Sequence, residues 1–312
     1  VDNVVRGDRF AKLAAVQHPK ILATYGGEYS DPKLERMIAR AIGRLTTATD
    51  DPNQTFQITI LNSPNVNAFA LPGGYVYVTR GLLALANDSA ELAAVVAHEM
   101  AHVTTKHGVA RQKKEADANL ASRVVSEVLQ NEEAGKQALI RNKLSLAQFS
   151  RQQELEADAV GIKALGRSGY DPFAAARFLQ SLGAYTEFRS ATTSDDMSLD
   201  FLATHPAAPQ RVELAKGHAR LFGAPGVGDT DRESYLSGLN GMLFGDSPEE
   251  GYVRGQTFVH PGLGIKFQVP RDYSIENNKD AVLASGPNEF AIRFDGVEVP
   301  QNVADEVKAK LA

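Results

Sequence analysis

The segment His98-Glu99-Met100-Ala101-His102 constrains this chain more than any other. On a helix, histidines four residues apart lie roughly 40° apart around the axis and one turn apart along it. Both imidazoles can then point to one metal ion, with Glu99 beside them in reach of a water on that ion. With 7 histidines and 38 acidic residues among 312, about 0.02 segments of this form are expected by accident. The plain alternative is a pair of solvated histidines on a helix surface. The apolar run Leu92–Ala97 argues instead for a buried helix, and a buried imidazole needs a partner. Asp88-Ser89 predicts the helix start, with Glu91 in its first turn. The helix is expected to run from about 89 to 107 and to end near Gly108.

A zinc site of this kind takes three protein ligands and leaves the fourth position to water. The chain has no cysteine, so the third ligand is a carboxylate or another histidine. His107, nine residues after His98, is expected on the far side of the helix as a helix-end or packing residue. His18, His218 and His260 have no supporting pattern. The best carboxylates lie in Ser150-Arg151-Gln152-Gln153-Glu154-Leu155-Glu156-Ala157-Asp158. Glu154 and Asp158 share one helix face, while Glu156 points elsewhere. One face thus offers a ligand and a second carboxylate able to accept the N–H of a liganding histidine and fix its tautomer. Read alone, the same segment would be a solvated acidic face.

The rest of the chain predicts an α+β organisation. Asp31-Pro32 opens a helix with Leu34, Met37, Ile38, Ile42 and Leu45 at helical spacing. Gln54–Leu61 reads as a strand. Residues 67–79 read as strand, Pro-Gly-Gly turn and strand, followed by a short helix near 81–86. Exposed helices are expected within 111–147, and further helices over 150–166, from Asp171-Pro172 to about 183, and over 207–221. The expected domains are 1–222, a Gly- and Pro-rich linker at 223–250 with a short helix at 230–240, and a small α+β accessory module at 251–312. That module is expected to hold strands at 257–259, 265–269, 282–285 and 290–294 and a terminal helix from near Asn302.

Three segments in order resemble metallopeptidase family forty-eight, the HtpX, CAAX prenyl protease and BepA group. Asn67-Ala68-Phe69-Ala70-Leu71-Pro72-Gly73-Gly74 is similar to its edge-strand segment. His98–His102 is similar to its metal helix, and Glu154-Leu155-Glu156-Ala157-Asp158 to its Glu-x-x-Ala-Asp element. Thr204-His205-Pro206 through Arg211 resembles its following His-Pro…Arg loop. The resemblance covers roughly residues 5–220. It implies a mostly helical zincin (gluzincin) fold with a small sheet, and endopeptidase activity on proteins or peptides. It implies that His98, His102 and Glu154 hold one Zn²⁺, that Glu99 is the general base, and that Asp158 orients a ligand histidine. His205 and Arg211 would sit over the open side of the metal and stabilise the oxyanion. His205 has a second option, to fold inward and displace the water. Each also has a bland one, a capping histidine and a surface arginine. Substrate would lie extended along Asn67, Ala68 and Ala70, although Ala-Phe-Ala-Leu is also an ordinary half-buried strand.

Composition narrows the class further. The net charge of −5 argues against a nucleic-acid partner. The longest strictly apolar run has six residues, against about 20 for a spanning helix, so no transmembrane segment is expected. The resemblance is therefore to the soluble, periplasmic or cell-envelope branch, with protein quality control as its task and an envelope protein as a conceivable partner. The rival reading is a non-catalytic or latent peptide-binding clamp. The first residue is Val1 and the last lies in an expected helix, so sequence is expected beyond both ends.

Overall fold

The structure is a computed structural model and describes residues 2–111, 113, 151–192, 201, 205, 209–277, 281–287 and 290–296. The fold is α+β, with more helix than strand and no barrel among the described residues. The chain divides into two compact units, with the boundary between Gly245 and Asp246.

In the first unit, α1 (Asp2–Thr24) and α2 (Pro32–Ala48) precede a three-stranded sheet. Asp31 caps α2 by accepting from the Lys33 and Leu34 N–H groups, with Pro32 in the first turn. Strands β1 (Gln57–Leu61), β2 (Ala68–Leu71) and β3 (Tyr75–Thr79) lie in the order β1-β3-β2. β3 runs parallel to β1 and antiparallel to β2, with Ile60 opposite Val78 and Phe69 opposite Tyr77. β2 is therefore an edge strand. Its turn into β3 requires Gly74, whose φ is +90° and whose Cβ would stand 2.1 Å from the Thr55 carbonyl oxygen.

Helices α3 (Arg80–Leu85) and α4 (Ser89–Thr104) follow. Asp88 caps α4 by accepting from the Glu91 N–H, 2.8 Å away. Every residue of α4 from Ser89 to His102 is buried, because the helix packs against α2, β2, α5 (Arg151–Arg167) and α6 (Ala174–Thr192). α4 ends at Thr104, three residues short of expectation, and Lys106 takes the left-handed φ of +60°. α7 (Pro209–Ala219) packs on α5 and α6. The helices expected within 111–147 lie outside the described residues, apart from 111 and 113.

Residues 223–245, read from composition as linker, pack onto this unit. Asp229 bridges to Tyr170, and α8 (Arg232–Leu239) buries Tyr235, whose hydroxyl donates to the Leu83 carbonyl at 2.6 Å. Buried Arg80 donates to the Leu243 and Gly245 carbonyls. Glycine marks close contact here, since a Cβ on Gly228 would stand 2.6 Å from the Asp171 nitrogen.

The second unit, by itself, carries two antiparallel three-stranded sheets. One is β4 (Tyr252–Arg254), β5 (Thr257–His260) and β6 (Ile265–Gln268). The other is β7 (Ser274–Asn277), β8 (Ala281–Ser285) and β9 (Ala291–Asp295). Phe258, Val269, Ile275, Val282 and Ala284 form its core. β4 and β7 are too short and mixed in polarity for sequence patterning. The helix expected near Asn302 lies outside the described residues.

The α4–α5 contact is set by Gly161. A Cβ there would meet the His98 nitrogen at 3.0 Å and the Ala97 carbonyl carbon at 3.1 Å. Gly161→Val should therefore destabilise the protein by about 1–3 kcal/mol through overpacking, read as a lower midpoint in denaturant unfolding.

Candidate metal centre

Two helices and one loop residue converge on a single point. α4 brings His98, Glu99 and His102, and α5 brings Glu154 and Asp158. His205 joins them, fully buried. The His98 Nε2 atom lies 3.1 Å from His102 Nε2 and 3.3 Å from His205 Nδ1. Glu154 Oε1 lies 3.0 Å from His205 Nδ1 and 3.4 Å from His102 Nε2. One ligand atom from each of His98, His102, Glu154 and His205 falls within 4.8 Å of all the others.

The donor set fits a zinc ion. Ligands at about 2.0–2.1 Å in a tetrahedron stand roughly 3.4 Å from one another, close to the separations seen here. Three imidazole nitrogens and a carboxylate oxygen, all buried, turn electron pairs toward a common centre. Hydrogen bonds among them satisfy only some of these pairs, and a dication satisfies all of them together.

The surroundings position these atoms. His98 Nδ1 lies 2.9 Å from Asp158 Oδ1, leaving Nε2 to face the centre. Arg211 binds Asp158 through Nε at 2.7 Å and Nη2 at 2.8 Å, and reaches Glu154 Oε2 through Nη1 at 2.8 Å. The guanidinium is thus buried against the Asp158 and Glu154 carboxylates. Bidentate pairing of this kind fixes geometry as well as charge. Phe201 stacks on His205, with ring centroids 4.3 Å apart and planes 19° apart. Glu99 Oε1 lies 3.3 Å from His205 Nε2, and the Ala70 backbone N–H favours the charged form of the Glu99 carboxylate.

Electrostatics follow the partners. Burial opposes charge on His98, but bonds to Asp158 and Glu154 outweigh it and raise its pKa to about 9. Burial dominates at His102 and lowers its pKa to about 2. Burial also works against the Glu154 and Asp158 carboxylates. The surrounding imidazoles hold Glu154 well below the usual range, and Arg211 with His98 brings Asp158 down to about 2. Burial raises the pKa of Glu99, the direction that makes a carboxylate a better base.

The expected substrate strand is placed differently from residue to residue. Ala68 is fully buried in the core, and Ala70 packs partly against it. The Asn67 N–H and C=O both bond to Thr79, and its side-chain amide donates to the Tyr25 hydroxyl. Asn67 therefore ties the start of β2 to Thr79 and Tyr25. His107 does not face away. The left-handed turn at Lys106 brings its Nδ1 to 2.9 Å from His102 Nδ1. Patterning missed His107, Phe201 and Gly161. Only the glycine, small and central in α5, leaves a sequence trace.

The profile of peptidase family M48 matches residues 29–219. The chain belongs to that family. Similar M48 relatives include the beta-barrel assembly-enhancing protease of Escherichia coli K12, 30% identical over 307 residues. That of Yersinia pestis is 31% identical over 304 residues. Each alignment covers 90% of this chain and 61% of the relative. The mitochondrial metalloendopeptidase OMA1 of Schizosaccharomyces pombe is 27% identical over 214 residues, 67% of this chain and 61% of that protein. The chain thus spans about three fifths of the length of these relatives. M48 members are metal-dependent peptidases, in agreement with the buried His-His-Glu-His group.

Arg211→Met tests the shell behind the ligands. Removing the guanidinium takes the fixed positive charge from two buried carboxylates, a loss of about 3–5 kcal/mol. Denaturant unfolding should show it, and Arg211→Lys should recover little, because an ammonium cannot reproduce the fork.

Proposed function

We propose that this chain is a zinc endopeptidase that cleaves proteins of the cell envelope and rests in a closed state. The observation that carries the reading is the convergence of four buried ligand atoms with Glu99 at their side. His98, His102 and Glu154 hold the ion. Bound there, zinc would lower the pKa of a water and polarise a peptide carbonyl. Glu99 takes the proton of the attacking water and later delivers it to the leaving amine. Asp158 and Arg211 keep His98 and Glu154 in register, so Arg211 acts through the ligands and not as an oxyanion donor.

His205 is the latch. Its Nδ1 lies among the other donor atoms, at 3.0 Å from Glu154 and 3.3 Å from His98. In that place it fills the position a catalytic site leaves to water. Phe201 stacked on the ring holds it there. Movement of His205 outward would open the site, and its Nε2 could then serve the oxyanion. This favours latency over a purely non-catalytic clamp, which has no use for Glu99.

Substrate lies extended along the open edge of β2, with Ala68 and Ala70 keeping that strand close to α4. An envelope setting is supported by relatives named for beta-barrel assembly. No described helix is long and apolar enough to cross a membrane.

Metal analysis of the purified chain should give one zinc per chain, with affinity falling as the pH is lowered, because protons compete with the ion for the ligand histidines. His98→Ala or Glu154→Ala should abolish tight binding. Glu99→Gln should keep the zinc while hydrolysis of an unfolded protein substrate falls by at least about 10²-fold. Equal inertness of wild type and Glu99→Gln, with equal substrate binding, would restore the clamp. His205→Ala should raise basal hydrolysis, and a fall would return His205 to the oxyanion role.

A further inference from the structure

One buried titratable side chain near the centre has no task in that chemistry. His107 is 5% exposed, and its ring stands 5.0 Å from that of His102, at 67°. Its Nδ1 lies 2.9 Å from His102 Nδ1, and its Nε2 lies 3.4 Å from Glu156 Oε2. An uninterrupted helix would not give this contact. It would carry His107 about 140° around the axis from His102 and roughly 7.5 Å further along it.

The chain instead stops α4 and turns. The Thr105 N–H and hydroxyl both donate to the Ala101 carbonyl, at 2.9 and 2.6 Å. Lys106 donates to the Val103 carbonyl at 3.1 Å and adopts a φ of +60°, a region that disfavours side chains other than glycine's. Helix resumes at His107. A disfavoured conformation kept beside a site is a reason to look for what it holds in place.

We propose that His107 is a positioning residue. It fixes the tautomer and ring plane of His102 by accepting the His102 Nδ1–H, while Glu156 holds His107 in the tautomer able to accept. The inference rests on the reading of His102 as a metal ligand through Nε2. A ring that gives its Nε2 lone pair to an ion carries its proton on Nδ1. The His107 Nδ1 must then be bare, so its own proton sits on Nε2, facing the Glu156 carboxylate. One assignment of protons satisfies all three groups, with both rings neutral. His102 thereby gains the outer partner that Asp158 supplies to His98. Such partners raise ligand basicity and typically matter about 10–100-fold in metal affinity.

Zinc affinity of the purified full chain, measured by competition with a chromophoric chelator, tests the proposal. His107→Phe keeps a ring and loses the acceptor, so affinity should fall about 10–100-fold. The thermal midpoint of the metal-free chain should stay near that of wild type. His107→Asn places an amide oxygen where Nδ1 stands and should bind within about threefold of wild type. Affinity unchanged in His107→Phe, or lost equally in both variants, would overturn the proposal. Should His107→Phe fail to fold, ¹⁵N NMR of the zinc-loaded wild type decides. His102 protonated on Nδ1 and His107 on Nε2 support the relay, and a His107 protonated on Nδ1 rejects it. Absence of tight zinc in wild type would instead remove the underlying site, a separate result from a normal site indifferent to residue 107.

Discussion

The site depends on how closely two helix backbones approach one another. α5 crosses α4 where Gly161 faces the peptide between Ala97 and His98. With no side chain between them, Glu154 and Asp158, on the preceding turns of α5, reach the histidines of α4. Glu154 spans to both His98 and His102, and Asp158 takes the far nitrogen of His98. A wider separation would leave each carboxylate short of its partner. The smallest residue in the contact thus sets the distances among the largest charges.

Those charges carry a cost that the surroundings offset. Three carboxylates, those of Glu99, Glu154 and Asp158, and several imidazoles are buried together, where an uncompensated charge is heavily penalised. Arg211 meets two of them, Glu154 and Asp158, with one rigid fork. Asp158 passes that compensation on to His98. The result is a polar network inside an apolar shell of α4, α2, the sheet and α6. Such a network specifies one geometry, because partial satisfaction is worse than none.

Much of this was legible in residues taken one at a time. Asp31 and Asp88 announced helix starts, and both accept the N–H bonds that a cap must. The Pro72-Gly73-Gly74 turn and the alternation of β2 and β3 followed from steric limits on backbone dihedrals. The four-residue spacing put His98 with His102 and Glu154 with Asp158 on shared faces. Features made by tertiary contact were not legible. Gly108 looked like a helix terminator, yet the chain turned at Lys106, a residue type that carries no turn signal. Arg211 was expected over the open side of the metal, and nothing in its own segment announced that it would be buried against Asp158 and Glu154. The glycines of 223–250 suggested a linker, whereas Gly228 serves close packing. Composition cannot distinguish a glycine that frees the chain from one that lets two segments touch.

The pull of the Ala70 backbone N–H on the Glu99 carboxylate, which favours its charged form, joins two parts of the molecule usually treated as separate. Ala70 belongs to β2, an edge strand of the first sheet, and Glu99 belongs to the helix that carries the histidines. The orientation of the carboxylate is therefore referenced to the sheet as well as to its own helix. A peptide adding to that edge would grip the same strand that steadies the proton acceptor. Docking and readiness for proton transfer would then share one mechanical element. A substrate that sat poorly on the strand would be penalised twice, in its own alignment and in the aim of the base.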